Sequence, residues 1–410
     1  MFYRRHLEAT LTGSVSRNKI RLIFGARQTG KTALLRHLFR RQGGTHFVSL
    51  QDSGERRRFE ADPAAFTRQI RGLPRSTRII IVDEIQKVPA ILDEVQALYD
   101  AAPSRWQFFL TGSSARRLRA GAANLLPGRS HGFRLHPVCA WETARDGEAF
   151  QISPPTHAES THPPFPSRPL PRTLLLGNLP GVRAERAATA HLTLAAYVDT
   201  YLEEEIRREA LVRDVGSFVV FLRLAAAESG QQLNLAKLSQ ESGVPASTLK
   251  SYYQVLVDTF AGHWVVAYAR RARKRLLTTP RFYFFDVGVR NAAAELPIEA
   301  RLADAQAGTL LEQWVAQELI ARASYLGRGH RVSFWRTASG AEVDFVWETP
   351  REDTPIEVKW TARPRPSDAR HLETFLDLYP SRARRGLLVC RCDKPEQLTD
   401  RIRAVPWHAL

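Results

Sequence analysis

The sequence predicts an α/β protein in three parts. A parallel sheet behind a phosphate-binding loop comes first, a helical module with a winged helix-turn-helix second, and a smaller α/β domain last. Three observations predict it: a strand–loop–helix pattern over residues 20–40, a proline-rich interruption over 150–172, and an α-β-β-β-α-β order from residue 306 onward. The expected boundaries are 1–145 for the phosphate-loop domain, 146–175 for a Pro-rich linker or loop, 176–295 for the helical and winged-helix module, and 300–410 for the C-terminal domain.

The first element is "IRLIFGARQTGKTALLRHLFR". Leu22, Ile23 and Phe24 make a short buried strand, and Gly25, Ala26, Arg27, Gln28, Thr29, Gly30, Lys31 and Thr32 match G-x-x-x-x-G-K-[ST], with Ala33 opening the helix behind them. The glycines let backbone N–H groups curl around phosphates, and the helix aims its positive end at the same charge. Lys31 supplies a cation for the β and γ phosphates of ATP, and Thr32 a hydroxyl for Mg²⁺. The second element, "RIIIVDEIQKVP", is an apolar strand ending in Asp83 and Glu84. Asp83 at the strand's carboxyl end is placed to hold Mg²⁺ through water, and Glu84 to polarise the attacking water, so hydrolysis is expected. The third strand, "QFFLTGSSA", ends in Ser113 and Ser114, either of which could report on the γ-phosphate or simply form a turn. Arg129, after Gly128, could reach a neighbouring subunit's γ-phosphate as a finger. "ILDEVQALYDAA" supplies a covering helix with Ile91, Leu92, Val95 and Leu98 on one face.

The tract from Phe150 to Arg172 holds seven prolines and cannot keep a helix or pack a core. Beyond it, "NLAKLSQESGVPASTLKSYYQVLVDTF" reads as two short helices joined by Gly243-Val244-Pro245, with Ser247 as N-cap of the second. Two β-rich runs follow, joined by a basic segment in which Arg270, Arg271, Arg273, Lys274 and Arg275 could grip the phosphates of DNA. Such modules also dock proteins.

In "QAGTLLEQWVAQELIARASY", Glu312 precedes Val315, Ala316 and Leu319 by spacings of 3, 4 and 7, which sets it on the apolar face of a helix. An unpartnered carboxylate there is costly, so a cation or donor is expected beside it. Three strands follow. Asp344 shares a face of the second with Glu342, and Glu357 shares a face of the third with Lys359. Acids on the helix and two strands, with a lysine two residues on, form a phosphodiesterase constellation. Asp344 and Glu357, with Glu312, would hold one or two Mg²⁺, and Lys359 would orient the nucleophile or neutralise the reacting phosphorus.

Composition bounds the rest. The 410 residues allow two or three domains at roughly 100–200 residues each. No apolar run approaches the ~20 residues that span a bilayer, and "MFYRRHLEATLTG" has no signal-peptide core, so a cytoplasmic protein without a membrane partner is expected. Cys139, Cys390 and Cys392 are too few for a disulfide framework or a zinc site. The net charge of +17 points to a polyanion, although 51 arginines against 8 lysines also fits arginine-rich coding.

With these residues in view the chain resembles prokaryotic AAA-type ATPases that pair a P-loop domain with a C-terminal domain of unknown function 4143. The motifs are "FGARQTGKT", "IVDEIQKVP", "LTGSSA", "PGR", "LLGNLPG", "KRLLTTPRFYFFDVGV", "FWRTASGAEVDFV" and "IEVKW". The C-terminal part is similar to PD-(D/E)xK nucleases. The resemblance implies a P-loop NTPase core of AAA+ type, strengthens Arg129 as a finger, and implies a homo-oligomer such as a hexameric ring. Where such proteins carry Arg-Asp, this chain has Glu204-Glu205, and its proline tract is longer. The expected activity is Mg²⁺-dependent ATP hydrolysis coupled to binding, remodelling or cleavage of DNA, branched DNA included. The alternatives are a translocase or branch-migration motor with a non-cleaving nuclease fold, and a nucleotide-dependent signalling switch that binds DNA or protein.

Overall fold

Five strands, β1 (Ile20–Phe24), β2 (Thr45–Ser49), β3 (Ile79–Asp83), β4 (Gln107–Gly112) and β5 (Ser130–Arg134), pair in the order β2-β3-β4-β1-β5, every pair parallel. They belong to a computed structural model that describes residues 2–16, 18–40, 42–114, 126, 128–143, 154–155, 169–202, 214–269 and 279–410. The chain divides into two compact units, 1–137 with 258–260, and 138–257 with 261–410.

In the first unit the three inner strands β3, β4 and β1 are near-continuous apolar runs, as strands covered on both faces require, whereas the edge strands β2 and β5 are more polar. Helices Lys31–Phe39, Ser53–Ala61, Ala64–Arg71 and Ile91–Ala101 connect them. The core joins Leu22, Ile80, Val82, Phe108 and Leu110 to Ile91, Leu92, Val95 and Leu98, the face that the helical spacing predicts. Because β4 lies between β1 and β3, its carboxyl end falls between the loop after β1 and the acids that end β3.

The second unit carries helices Val215–Ala227, Leu235–Ser242 and Ala246–Asp258. Asn234 caps the second, its side chain accepting from the Lys237 N–H at 3.0 Å, and Gly243 ends it at φ +69°. The third helix begins at Ala246, so Ser247 lies inside its first turn and is not the N-cap. A hairpin of β6 (Gly262–Ala267) and β7 (Arg281–Phe284) follows. This hairpin is not a free wing. β6 also pairs in parallel with β8 (Arg331–Arg336), which makes β7 and β6 one end of an eight-stranded sheet. The remaining strands are β9 (Glu342–Glu348), β10 (Asp353–Val358), β11 (Gly386–Cys390), β12 (Glu396–Gln397) and β13 (Ile402–Pro406), in the order β12-β13-β11-β10-β9-β8-β6-β7. The helix Ala307–Leu326 packs on this sheet through Leu310, Leu311, Trp314, Val315 and Leu319.

Arg270, Arg271, Arg273, Lys274, Arg275, Glu204 and Glu205 lie outside the described residues, as does most of the proline tract. Among the described residues no helix is long and apolar enough to cross a membrane. The three cysteines are buried and in no disulfide.

Candidate functional site

In the first unit the loop Gly25–Gly30 closes against its own sheet. A Cβ on Gly25 would stand 2.3 Å from the Leu135 carbonyl oxygen, so only glycine fits there. Gly30 takes φ +94°, a left-handed turn that starts the Lys31–Phe39 helix. Lys31 is buried and its Nζ donates to the carbonyls of Gly25 and Ala26, both at 2.9 Å, which gathers the ammonium inside the curl. Thr29 Oγ1 donates to the Ala26 carbonyl at 2.9 Å and stiffens the same turn. Gln28 sits at φ +60°, Ala26 is buried, and Ala33 is exposed on the helix.

Asp83 receives two hydroxyls on one oxygen, Thr32 Oγ1 and Thr111 Oγ1, each at 2.7 Å. Burial pushes its pKa up, against those two hydrogen bonds. Glu84 follows in the left-handed region, φ +60°, with its N–H donating to Thr111 Oγ1 at 3.0 Å. Its carboxylate accepts from Ser113 Oγ at 3.0 Å and from Gln86 Nε2, which also donates to Ser113 at 2.9 Å. Burial alone would raise the Glu84 pKa, yet the Lys31 charge and these hydrogen bonds outweigh it and hold the carboxyl below its ordinary range. The site therefore contains an ionised carboxylate, a carboxylate paired with the loop threonine, and a lysine in the loop.

The structure thus brings together Lys31, Thr32, Asp83, Glu84 and Ser113. Thr111 and Gln86 complete the set without having been legible as site residues. Arg5 is a third addition. Its buried guanidinium donates to the carbonyls of Thr29 at 2.8 Å, His136 at 2.5 Å and Pro137 at 3.3 Å, tying the loop to the chain after β5. We expect Arg5→Met to strand buried carbonyls and cost ~3 kcal/mol of stability. It should raise the KM for ATP more than it lowers kcat, which denaturant melts and steady-state phosphate release would measure. Unchanged values in both would remove Arg5 from the site.

Arg129 does not join this group. Its carbonyl accepts from the Ile20 N–H at 2.9 Å, at the start of β1, whereas the phosphate loop follows the end of that strand. Its Nε donates to Asp100 Oδ1 at 2.6 Å. Within one chain the finger candidate lies at the opposite edge of the sheet from Lys31 and Glu84.

In the second unit Asp344 lies on β9 and Glu357 on β10, neighbouring antiparallel strands. Asp344 Oδ2 accepts from the Val358 N–H at 2.9 Å. Lys359 Nζ pairs with Glu357 Oε1 at 2.7 Å. Burial pushes Glu312 and Glu357 each up to about 7, with the charge of Asp344 adding to the rise in both, and burial raises Asp344 as well. Burial pulls the Lys359 pKa down, but the Glu357 charge and hydrogen bond outweigh it and leave the ammonium above its ordinary value. Glu312 does have the partner that its place on the helix demands. Tyr283 Oη donates to its Oε1 at 2.7 Å, and Arg281 stands 3.5 Å from the same oxygen.

The expected trio of metal ligands is not assembled as such. Among the described residues no group of three or more His, Cys, Asp or Glu side chains is arranged to hold a metal ion. What remains is the Asp344–Glu357 pair, with Glu312 engaged by Tyr283 and Arg281 and near enough for the charge of Asp344 to add to its raised pKa. A pair suffices for Mg²⁺, which takes one or two carboxylates and completes its shell with water and substrate phosphate. Glu357 Oε2 is buried and has no hydrogen-bond partner, an orphaned acceptor that a cation would satisfy. On those grounds the residues fit the ion.

Comparison with known proteins divides the chain in three. Residues 17–144 match the family of AAA domains, 167–300 a domain of unknown function (DUF8612), and 307–410 a domain of unknown function (DUF4143). The uncharacterized proteins Rv2008c of Mycobacterium tuberculosis and Mb2031c of Mycobacterium bovis are each 24% identical over 365 residues, covering 88% of this chain and 75% of the relative. The crystal structure of protein VC1899 from Vibrio cholerae spans 95% of this chain and 94% of its own at 13% identity, with a TM-score of 0.18, below what a shared fold requires. The chain is thus similar to AAA domains on its N-terminal side and to DUF4143 domains on its C-terminal side.

Proposed function

We propose that the chain is a Mg²⁺-dependent ATPase whose nucleotide cycle is coupled to binding, remodelling or metal-dependent cleavage of DNA at the Asp344–Glu357 site. The observation that carries the ATPase reading is the Thr32–Asp83 hydrogen bond at 2.7 Å, which joins the loop to the acid strand and sets the ionised Glu84 one residue further on. Lys31 binds the β and γ phosphates, Thr32 and Asp83 hold the ion, Glu84 orients and deprotonates the attacking water, and Ser113 couples that carboxylate to β4. Arg129, at the far edge of the sheet, serves the nucleotide of an adjacent copy in a homo-oligomer.

At the second site Mg²⁺, when bound, lowers the pKa of its water and screens the charge of a phosphodiester. Asp344 and Glu357 hold the ion, and Lys359, 43% exposed, reaches outward to the phosphate. The surplus of positive charge suits a polyanion. One observation favours a second reading, a motor or switch that binds without cutting: Glu357 and Glu312 already have cationic partners in Lys359 and Arg281. Labelled single-stranded, duplex, forked and four-way DNAs, incubated with and without ATP and Mg²⁺, separate the two. Cleaved strands support the nuclease, ATP-driven strand displacement without cuts supports the motor, and no binding to any of them removes DNA as partner.

A further inference from the structure

The carboxylate site of the C-terminal domain is not made by that domain alone. β7 lies in the segment 167–300, which matches a different family from 307–410, and two of its side chains point at Glu312. Tyr283 is fully buried, and its hydroxyl donates to Glu312 Oε1 at 2.7 Å. Arg281, also buried, approaches the same oxygen at 3.5 Å, while its other terminal nitrogen pairs with Glu342, on the same face of β9 as Asp344. Both partners hold one oxygen of Glu312. That leaves its other oxygen, Oε2, outside these two contacts. The turn at Gly230 closes the arrangement: at φ +90° its N–H donates to the Phe282 carbonyl at 2.8 Å, and a Cβ there would come within 3.2 Å of the Tyr283 ring and 3.6 Å of Glu312 Oε1.

We propose that the site is composite, with Tyr283 and Arg281 as positioning residues that fix one oxygen of Glu312 and turn the other toward the Asp344–Glu357 pair. Donors behind a carboxylate orient it and keep it from swinging, and the loss of such a partner weakens ion binding by about 10–100-fold. The hairpin that reads as a wing in the sequence is therefore part of the acidic site. This inference rests on the reading of that site as one for a divalent cation.

Mn²⁺ binding to the nucleotide-free full-length chain, measured by calorimetry, tests it, with Asp83→Asn in every sample to silence the other acidic site. Tyr283→Phe removes one oxygen and no charge. It is expected to weaken Mn²⁺ binding about tenfold, and Glu312→Gln to weaken it by at least as much. Because the tyrosine acts through Glu312, the double variant should be no weaker than Glu312→Gln alone. Arg281→Lys keeps the charge but loses the fork, and is expected to weaken binding by a similar factor. A Tyr283→Phe chain that binds like its parent, or a double variant whose losses simply add, overturns the composite site and leaves the metal reading standing. A parent that takes up no Mn²⁺ overturns both.

Discussion

Lys31→Ala and Glu84→Gln are each expected to abolish ATP hydrolysis, by different routes. Removing Lys31 takes away the ammonium gathered inside the loop formed by Gly25–Gly30, so nucleotide binding and turnover fall together. Glu84→Gln keeps the shape and the contact with Ser113 but loses the base that accepts a proton from water. Positioned general bases contribute about 10²–10⁴-fold, so kcat should drop by at least ~100-fold while a fluorescent ATP analogue still binds. Phosphate release and analogue titration measure the two effects. Full turnover in either variant would end the ATPase assignment.

The second large effect is at the far site. Asp344→Ala and Lys359→Ala are each expected to remove Mg²⁺- or Mn²⁺-supported DNA cleavage, a loss of several kcal/mol of barrier stabilisation, on the order of 10²-fold or more. Cleavage surviving in both would assign it to another site or to a contaminant. The pH profile follows from the same groups. Glu312 and Glu357 have pKa values raised to about 7 by burial and by Asp344, so below that pH they carry protons and compete with the ion. Mn²⁺ affinity and cleavage should therefore rise as pH passes upward through 7 and level off above it. A profile flat from pH 6 to 9 would contradict the proposed ligand role of Glu357.

How much of this could be read from the chain depends on how far apart the partners are. The phosphate loop was legible because its glycines, lysine and threonine are consecutive and the constraint on each is local. Asp83 and Glu84 were legible because an apolar strand ending in acids has few other uses. Arg5 was not, because it acts through carbonyls as far as 132 residues away, and nothing in an arginine's own sequence neighbourhood marks such a contact. Thr111 and Gln86 escaped because their role depends on β4 lying between β1 and β3, a matter of strand order. In the second unit the acids were found by alternation along β9 and β10, but their pairing was not. A carboxylate on an apolar helix face signalled a partner for Glu312 without naming it, and Tyr283 and Arg281 lie some thirty positions upstream, on a hairpin that the periodicity alone treats as a separate module.

The ladder between β6 and β8 bears on how this chain can be dissected. A fragment beginning at residue 307 would lose the strand that satisfies β8's outer backbone groups and would present an unguarded border to its neighbours, an invitation to strand-by-strand association. A fragment ending at 300 would bare the matching border on β6. Either half made alone should tend toward aggregates, and an inert fragment would say little about what the intact protein can do.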